Sequence, residues 1–191
     1  KFKNYSRFEL KKTLELNTTT IDHEFEKTEL DFVKIDVEGY HLNILEGSKK
    51  KLDNILGLEV EVELQDIRLG QPDFYKVLNF LKGYNFEMHD ILNIIRWKRD
   101  SYQYTGQPHT CDLFFLKTPE FIIDEFQKGT IKEEKIFKYL IILSIYNRSD
   151  LISLINKKIS NKLTKQTQIN DLEVLIKNKD KKINLLRKTS L

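Results

Sequence analysis

With 191 residues, 40% of them hydrophobic and 11% aromatic, the chain holds enough apolar material for one packed domain plus an appendage, which excludes disorder throughout. Its strongest apolar run, residues 139–146, falls far short of the roughly 20 residues of a membrane helix, and no N-terminal signal segment is legible, so the sequence reads as soluble, cytoplasmic and without a membrane partner. The single cysteine, Cys111, has no partner for an internal disulfide or a cysteine zinc site, in keeping with a reducing compartment. The net charge of +3 is unevenly spread: residues 147–191 carry 11 Lys or Arg against 4 Asp or Glu, and residues 1–146 carry 21 against 25. A mildly acidic domain is followed by a basic tail.

In chain order, the β-branched run Thr18-Thr19-Thr20-Ile21 predicts a strand, and residues 30–37 predict a stronger one that stops at Glu38-Gly39. Residues 41–55 place Leu42, Ile44, Leu45, Leu52 and Ile55 mostly at helical spacing. Gly57 then interrupts, and residues 58–64 alternate apolar and acidic side chains at period 2, which predicts a strand with two unlike faces. Pro72-Asp73 opens a helix through Phe74, Val77, Leu78, Phe80 and Leu81, with Gly83 as its stop. Residues 84–88, 91–97 and 111–117 read as further strands, the last two separated by a polar loop holding Gly106 and Pro108. This order predicts an α/β core built on a mostly parallel sheet with an antiparallel finish.

Beyond Pro119 the text is lysine-rich and poor in glycine, with Ile136, Leu140, Leu143, Leu151, Leu154 and Ile155 in a helical pattern. Ile169, Leu172, Ile176, Ile183 and Leu186 fit a heptad seam, although Lys179 occupies one seam position and the run is short. The expected division is a domain over residues 1–118 and a basic helical extension, with a short coiled coil as one option, over 119–191.

Chemistry concentrates at Asp36-Val37-Glu38-Gly39, where a buried strand gives way to a helix. The two acids stand two residues apart, on one side of the strand, at the carboxyl end where open α/β sheets collect ligands. A hydroxyl that attacks a sulfonium methyl must lose its proton, and a carboxylate accepts it or holds the group that does. The same acids also suit capping of the following helix. Asp36, Glu38 and His41 are residue types that ligate a divalent metal, but His41 falls in the first helical turn and its direction is not readable, so no metal site is expected. His109 lies in a polar stretch near Asp112, and Trp97, Tyr102 and Tyr104 offer rings for stacking on a sugar or base, with core packing the plainer reading for Trp97.

The string Asp31-Phe32-Val33-Lys34-Ile35-Asp36-Val37-Glu38-Gly39, followed by Ile44-Leu45-Glu46-Gly47, resembles the hallmark of the FkbM-type S-adenosylmethionine-dependent methyltransferases. In that family a strand reading Ile-Lys-Ile-Asp-Val-Glu-Gly precedes a helix with a Val-Leu-x-Gly-Ala core. Thr20-Ile21-Asp22 is similar to the family's Thr-Leu-Asp segment, residues 58–64 to the acidic strand after its helix, and Cys111-Asp112-Leu113-Phe114-Phe115 to its closing strand, so the likeness spans about residues 18–117. Tyr40 and His41 depart from it, standing where the family has a small residue and then Glu, and Ser48 replaces an Ala.

The resemblance implies the C-terminal half of a class I, Rossmann-like methyltransferase sheet with an antiparallel last strand, followed by an α-helical extension. It implies S-adenosylmethionine as cofactor and methylation of a hydroxyl on a sugar or small metabolite. Asp36 and Glu38 would be the catalytic acids, either one serving as the base, with Asp22 and Gly39 toward the cofactor and His41 and His109 toward the acceptor. The Gly-rich cofactor turn and the acid ending the second strand are not found in this sequence, which implies that the first three strands lie upstream of Lys1. An alternative reading is a non-catalytic assembly module that pairs through its sheet edge and makes a protein contact through its C-terminal helices. A nucleic-acid contact by Lys157, Lys158, Lys162, Lys179, Lys181 and Lys182 is disfavoured, since no aromatic residue follows Tyr146.

These 191 residues alone should therefore bind S-adenosylmethionine weakly or not at all. Several hydrogen bonds to its ribose and amino-acid end would be missing, each worth about 0.5–1.5 kcal/mol. Titration calorimetry against the cofactor should give little heat, and tight binding would put the cofactor site elsewhere in the chain.

Overall fold

Within residues 11–117, the first of two units into which the chain divides, the computed structural model gives the order α1 (Ile21–Glu24), β1 (Phe32–Ile35), α2 (His41–Glu46), α3 (Lys49–Leu52), β2 (Gly57–Glu63), α4 (Phe74–Lys82), β3 (Phe86–Trp97) and β4 (Gln107–Lys117). The structure describes residues 11–66, 68, 70–98, 106–164 and 174.

The four strands form one sheet in the order β1-β2-β4-β3. β1 pairs with β2 in parallel, and β4 runs antiparallel to both β2 and β3. Three strands thus share a direction and β4, the last in the chain, opposes them. β3 runs parallel to β2, as expected of a crossover through α4, with β4 inserted between the two. The result is a mixed α/β sheet.

The period-2 text of β2 sets the two faces. Leu58, Val60 and Val62 are buried with Ile35, Cys111, Leu113 and Phe115 in a core that also takes Leu45 of α2, Leu52 of α3, and Val77 and Leu81 of α4. Each such side chain stabilises the fold by roughly 1.5–3 kcal/mol through burial. Glu59, Glu61 and Glu63 necessarily face the other way.

Several sequence expectations give way to local hydrogen bonding. Residues 18–21 are not a strand: the Thr20 hydroxyl accepts from His23 N at 3.2 Å and caps α1, a favoured use of threonine. The single helix expected over 41–55 is two short ones. The Asp22 carboxylate accepts from Lys50 N at 3.0 Å and Lys51 N at 2.9 Å, which satisfies free donors at the start of α3 and gives the chain a reason to begin a new helix there. The strands expected over 84–88 and 91–97 are one strand, β3, interrupted by register shifts rather than by a turn. Pro108 belongs to β4, opposite Arg96. The β2 pairing reaches only to Thr110 opposite Glu63, so a residue without an N–H is tolerated at that end of β4.

The second unit is helical, with α5 (Pro119–Lys128), α6 (Glu133–Ile145) and α7 (Ser149–Ile159) followed by a 3-10 turn, Ser160–Lys162. The Thr118 hydroxyl accepts from Phe121 N, Pro119 opens α5 and Gly129 closes it in a left-handed conformation, the expected start and stop signals. Ile122, Ile136, Tyr139, Leu140, Leu143, Ile152, Ile155 and Ile159 are buried. Glu133 accepts from Thr164 N at 2.9 Å and from its hydroxyl at 2.7 Å, tying the end of the described tail to the start of α6. The heptad positions Ile169, Leu172, Ile176, Ile183 and Leu186 lie outside the described residues. Among the described residues no helix is long and apolar enough to cross a membrane.

Lys117, at the end of β4, is only 2% exposed. Its Nζ donates to the Tyr84 carbonyl at 2.5 Å and lies 4.4 Å from the centre of the Phe86 ring. Burial pushes its pKa down to about 8 from 10.5. Between those values the unfolded chain binds the extra proton, so stability rises with pH across the window. Relative to Lys117→Met, the wild type should gain up to about 3 kcal/mol between pH 8 and 10.5, read by urea denaturation at both pH values.

Candidate functional site

Because β1, β2 and β3 run the same way, their carboxyl ends share one edge, and β4 begins there. The chain leaves β1 through Asp36 into a tight turn in which Tyr40 N donates to the Val37 carbonyl at 3.4 Å. Both central residues are left-handed, Glu38 with φ 50° and Gly39 with φ 95°. Glycine adopts this readily, whereas for Glu38 it costs roughly 1–2 kcal/mol. A Cβ on Gly39 would also stand 3.4 Å from Arg68 Cδ.

Register then aligns charges across the strands. Ile35 pairs with Val60, which brings Asp36, one residue on, beside Glu61, and Glu61 pairs in turn with Asp112. Lys34 donates to Glu59 at 2.7 Å and lies 3.6 Å from Asp112. Asn93 of β3 donates to the other side of the group, reaching Asp112 Oδ2 at 2.7 Å. The hydrogen bond to Glu59 raises the Lys34 pKa, so the ammonium stays charged. Glu61 is different. A hydrogen bond shared with Asp36, then burial, then the charges of Asp36, Asp112 and Glu63 raise its pKa to about 7. A carboxyl group that titrates near neutrality can take up or release a proton at little cost.

A second cluster stands at the end of β2. Arg68 pairs with Glu38 and, at 2.5 Å, with Glu63 Oε1. Glu38 is 70% exposed and Glu63 3%, so the guanidinium joins a solvated acid to a buried one. Gln71 accepts from Arg68 N at 2.8 Å and donates to the Gln65 carbonyl at 2.7 Å, which holds the Arg68 backbone in place. His41, first residue of α2, is 1% exposed, and its Nδ1 is 3.6 Å from Glu63 Oε2, beyond hydrogen-bond distance. Neither ring nitrogen nor that oxygen has a hydrogen-bond partner among the described residues. Burial lowers the His41 pKa and raises that of Glu63. The Arg68 guanidinium opposes the second shift and favours an ionised Glu63.

The six residues singled out from sequence thus fall into separate settings. Asp36 joins Glu61, while Glu38, Gly39 and His41 gather around Glu63 and Arg68. Asp22 caps α3 through its carboxylate. His109 helps pin the sheet edge, its carbonyl accepting from Leu64 N at 2.8 Å. Asp36, Glu38 and His41 turn to different partners, and among the described residues no group of three or more His, Cys, Asp or Glu could hold a metal ion. Trp97 is partly buried at the end of β3, and Tyr102 and Tyr104 lie outside the described residues. Lys157, Lys158 and Lys162 are exposed, and Lys179, Lys181 and Lys182 lie outside the described residues. Sequence reasoning missed Glu61, Glu63 and Arg68. The alternating acids of β2 were the available signal for the first two, and nothing marked Arg68.

Replacing Asp36 by Asn removes the neighbouring charge and leaves an amide that can donate to Glu61. The Glu61 pKa should then fall from about 7 toward the usual carboxylate range of about 4.3, as followed by carboxyl-carbon NMR titration.

Residues 1–88 match the profile of the methyltransferase FkbM domain; the match ends in β3 and leaves β4 outside it. No curated protein and no solved structure matches the chain significantly. The matched residues include the Asp36 to Gly39 turn, the acids of β2 and Arg68. Over residues 1–88 the chain is thus similar to the FkbM methyltransferase domain.

Proposed function

We propose that the protein is an S-adenosylmethionine-dependent methyltransferase acting on a hydroxyl of a sugar or small metabolite, with Asp36 and Glu61 handling the proton. The observation that carries this reading is the carboxyl pair itself. It lies at the sheet edge where α/β folds take ligands, and Glu61 is tuned to about 7, close to the pH at which a general base works best.

The edge fits a cation. Lys34 compensates Glu59 and Asp112, while Asp36 and Glu61 retain a negative charge once they share one proton. When bound, the cofactor supplies an electrophilic methyl on a positively charged sulfur. Asp36 and Glu61 would lie toward that charge. The Asp36–Glu61 pair would take up the proton that the acceptor hydroxyl loses on methylation. Glu38, held by Arg68, orders the turn and leaves the base assignment to the pair. Residues 119–191 are, in this reading, a basic helical extension outside the catalytic domain. The alternative of a non-catalytic assembly module leaves the tuned carboxyl pair without a use.

Methyl transfer to a panel of neutral polyols and hydroxylated metabolites, measured on the full-length protein, tests the proposal. The rate should rise with pH through about 7 as the pair loses its proton. Glu61→Gln should lower kcat by roughly 10²–10⁴-fold, the range for loss of a general base, with little change in KM. Full activity in that variant would remove Glu61 from the chemistry.

A further inference from the structure

We propose that Arg68 is a positioning residue that clasps the turn after β1 to the end of β2 and thereby holds Asp36 against Glu61. The inference rests on the reading of those two acids as the proton-handling pair.

Three independent observations converge on this arginine. Its guanidinium pairs at once with Glu38, the first central residue of the turn, and with Glu63, the last residue of β2. Its Cδ packs at the second central residue, 3.4 Å from where a Gly39 Cβ would stand. Its own backbone is fixed by Gln71. The turn needs such a restraint, because Glu38 occupies a left-handed conformation that an unrestrained glutamate leaves readily. The buried end of the clasp is the firmer one. Glu63 is 3% exposed, and a buried carboxylate that lost its guanidinium would stand uncompensated beside a histidine whose ring is itself buried.

Asp36 lies two residues before Glu38, just past the last paired residue of β1. Its position is therefore fixed by the strand on one side and the turn on the other. The groups that face the carboxyl pair are Lys34 on β1, Glu59 and Glu63 on β2, and Asp112 on β4. Arg68 reaches the turn through Glu38 and the end of β2 through Glu63, and its action on the pair runs through the turn.

Amide hydrogen exchange and carboxyl-carbon titration of Glu61, on the full chain, provide the test without a methyl-transfer assay. In Arg68→Ala, exchange at Gly39, Tyr40 and His41 should accelerate at least about tenfold, while Val60 and Leu113 in the sheet keep their protection. The Glu61 midpoint should drop in the same variant as Asp36 drifts away. Arg68→Lys should restore part of both effects. Should Arg68→Ala not fold, Glu38→Gln decides, since it weakens only the solvated arm and should give the same changes in smaller measure. A folded variant with an unchanged turn, or a loosened turn with Glu61 titrating as before, overturns the proposal. Absence of methyl transfer with both readouts as expected would count against the enzymatic reading and leave the clasp standing.

Discussion

Parallel pairing of β1 with β2 is the constraint on which the rest depends. With Phe32 opposite Gly57 and Ile35 opposite Val60, every side chain of β2 is committed to a face. A slip of one residue would turn Glu59, Glu61 and Glu63 into the apolar core and Leu58, Val60 and Val62 out of it. Gly57 contributes locally to this register: a Cβ there would come within 3.0 Å of the Phe32 ring and 3.1 Å of Leu116 Cδ2. The missing side chain lets the ring of β1 lie over the start of β2.

Such a register gathers Asp36, Glu59, Glu61, Glu63 and Asp112 on one face, with Glu38 in the turn beside them, and the fold manages their repulsion unevenly. Lys34 and Asn93 attend to Glu59 and Asp112. Arg68 attends to Glu63 and Glu38. Asp36 and Glu61 are left to one another, and a shared proton is the remaining way to lower their mutual repulsion. The elevated pKa of Glu61 thus follows from where the cations were spent as much as from burial.

Much of the fold was legible because it rests on local periodicity. The alternation in β2, the helical spacing of Val77 and Leu81, and the start and stop signals around α4 and α5 all state themselves within a few residues. The failures share a different cause. Thr20 looks like a strand residue until its hydroxyl is seen capping α1, and the capping of α3 by Asp22 joins residues 28 apart in the chain. The site followed the same division. Asp36, Glu38 and Gly39 stand in one string and could be picked out. Their partners Glu61, Glu63 and Arg68 are set by pairing across strands and by a loop, and no spacing rule within one segment reports them.

The two clusters also differ in what a change of pH can do to them. Glu63 and His41 are almost wholly buried, and burial disfavours charge on both. An ionised Glu63 is retained through Arg68, and a neutral His41 adds no competing cation beside it. Asp36 and Glu61 face solvent more openly, and Glu61 titrates at about 7. Arg68 thus spans from the exposed Glu38 of the turn to the buried Glu63 at the end of β2, beside the strand on which Glu61 titrates near 7.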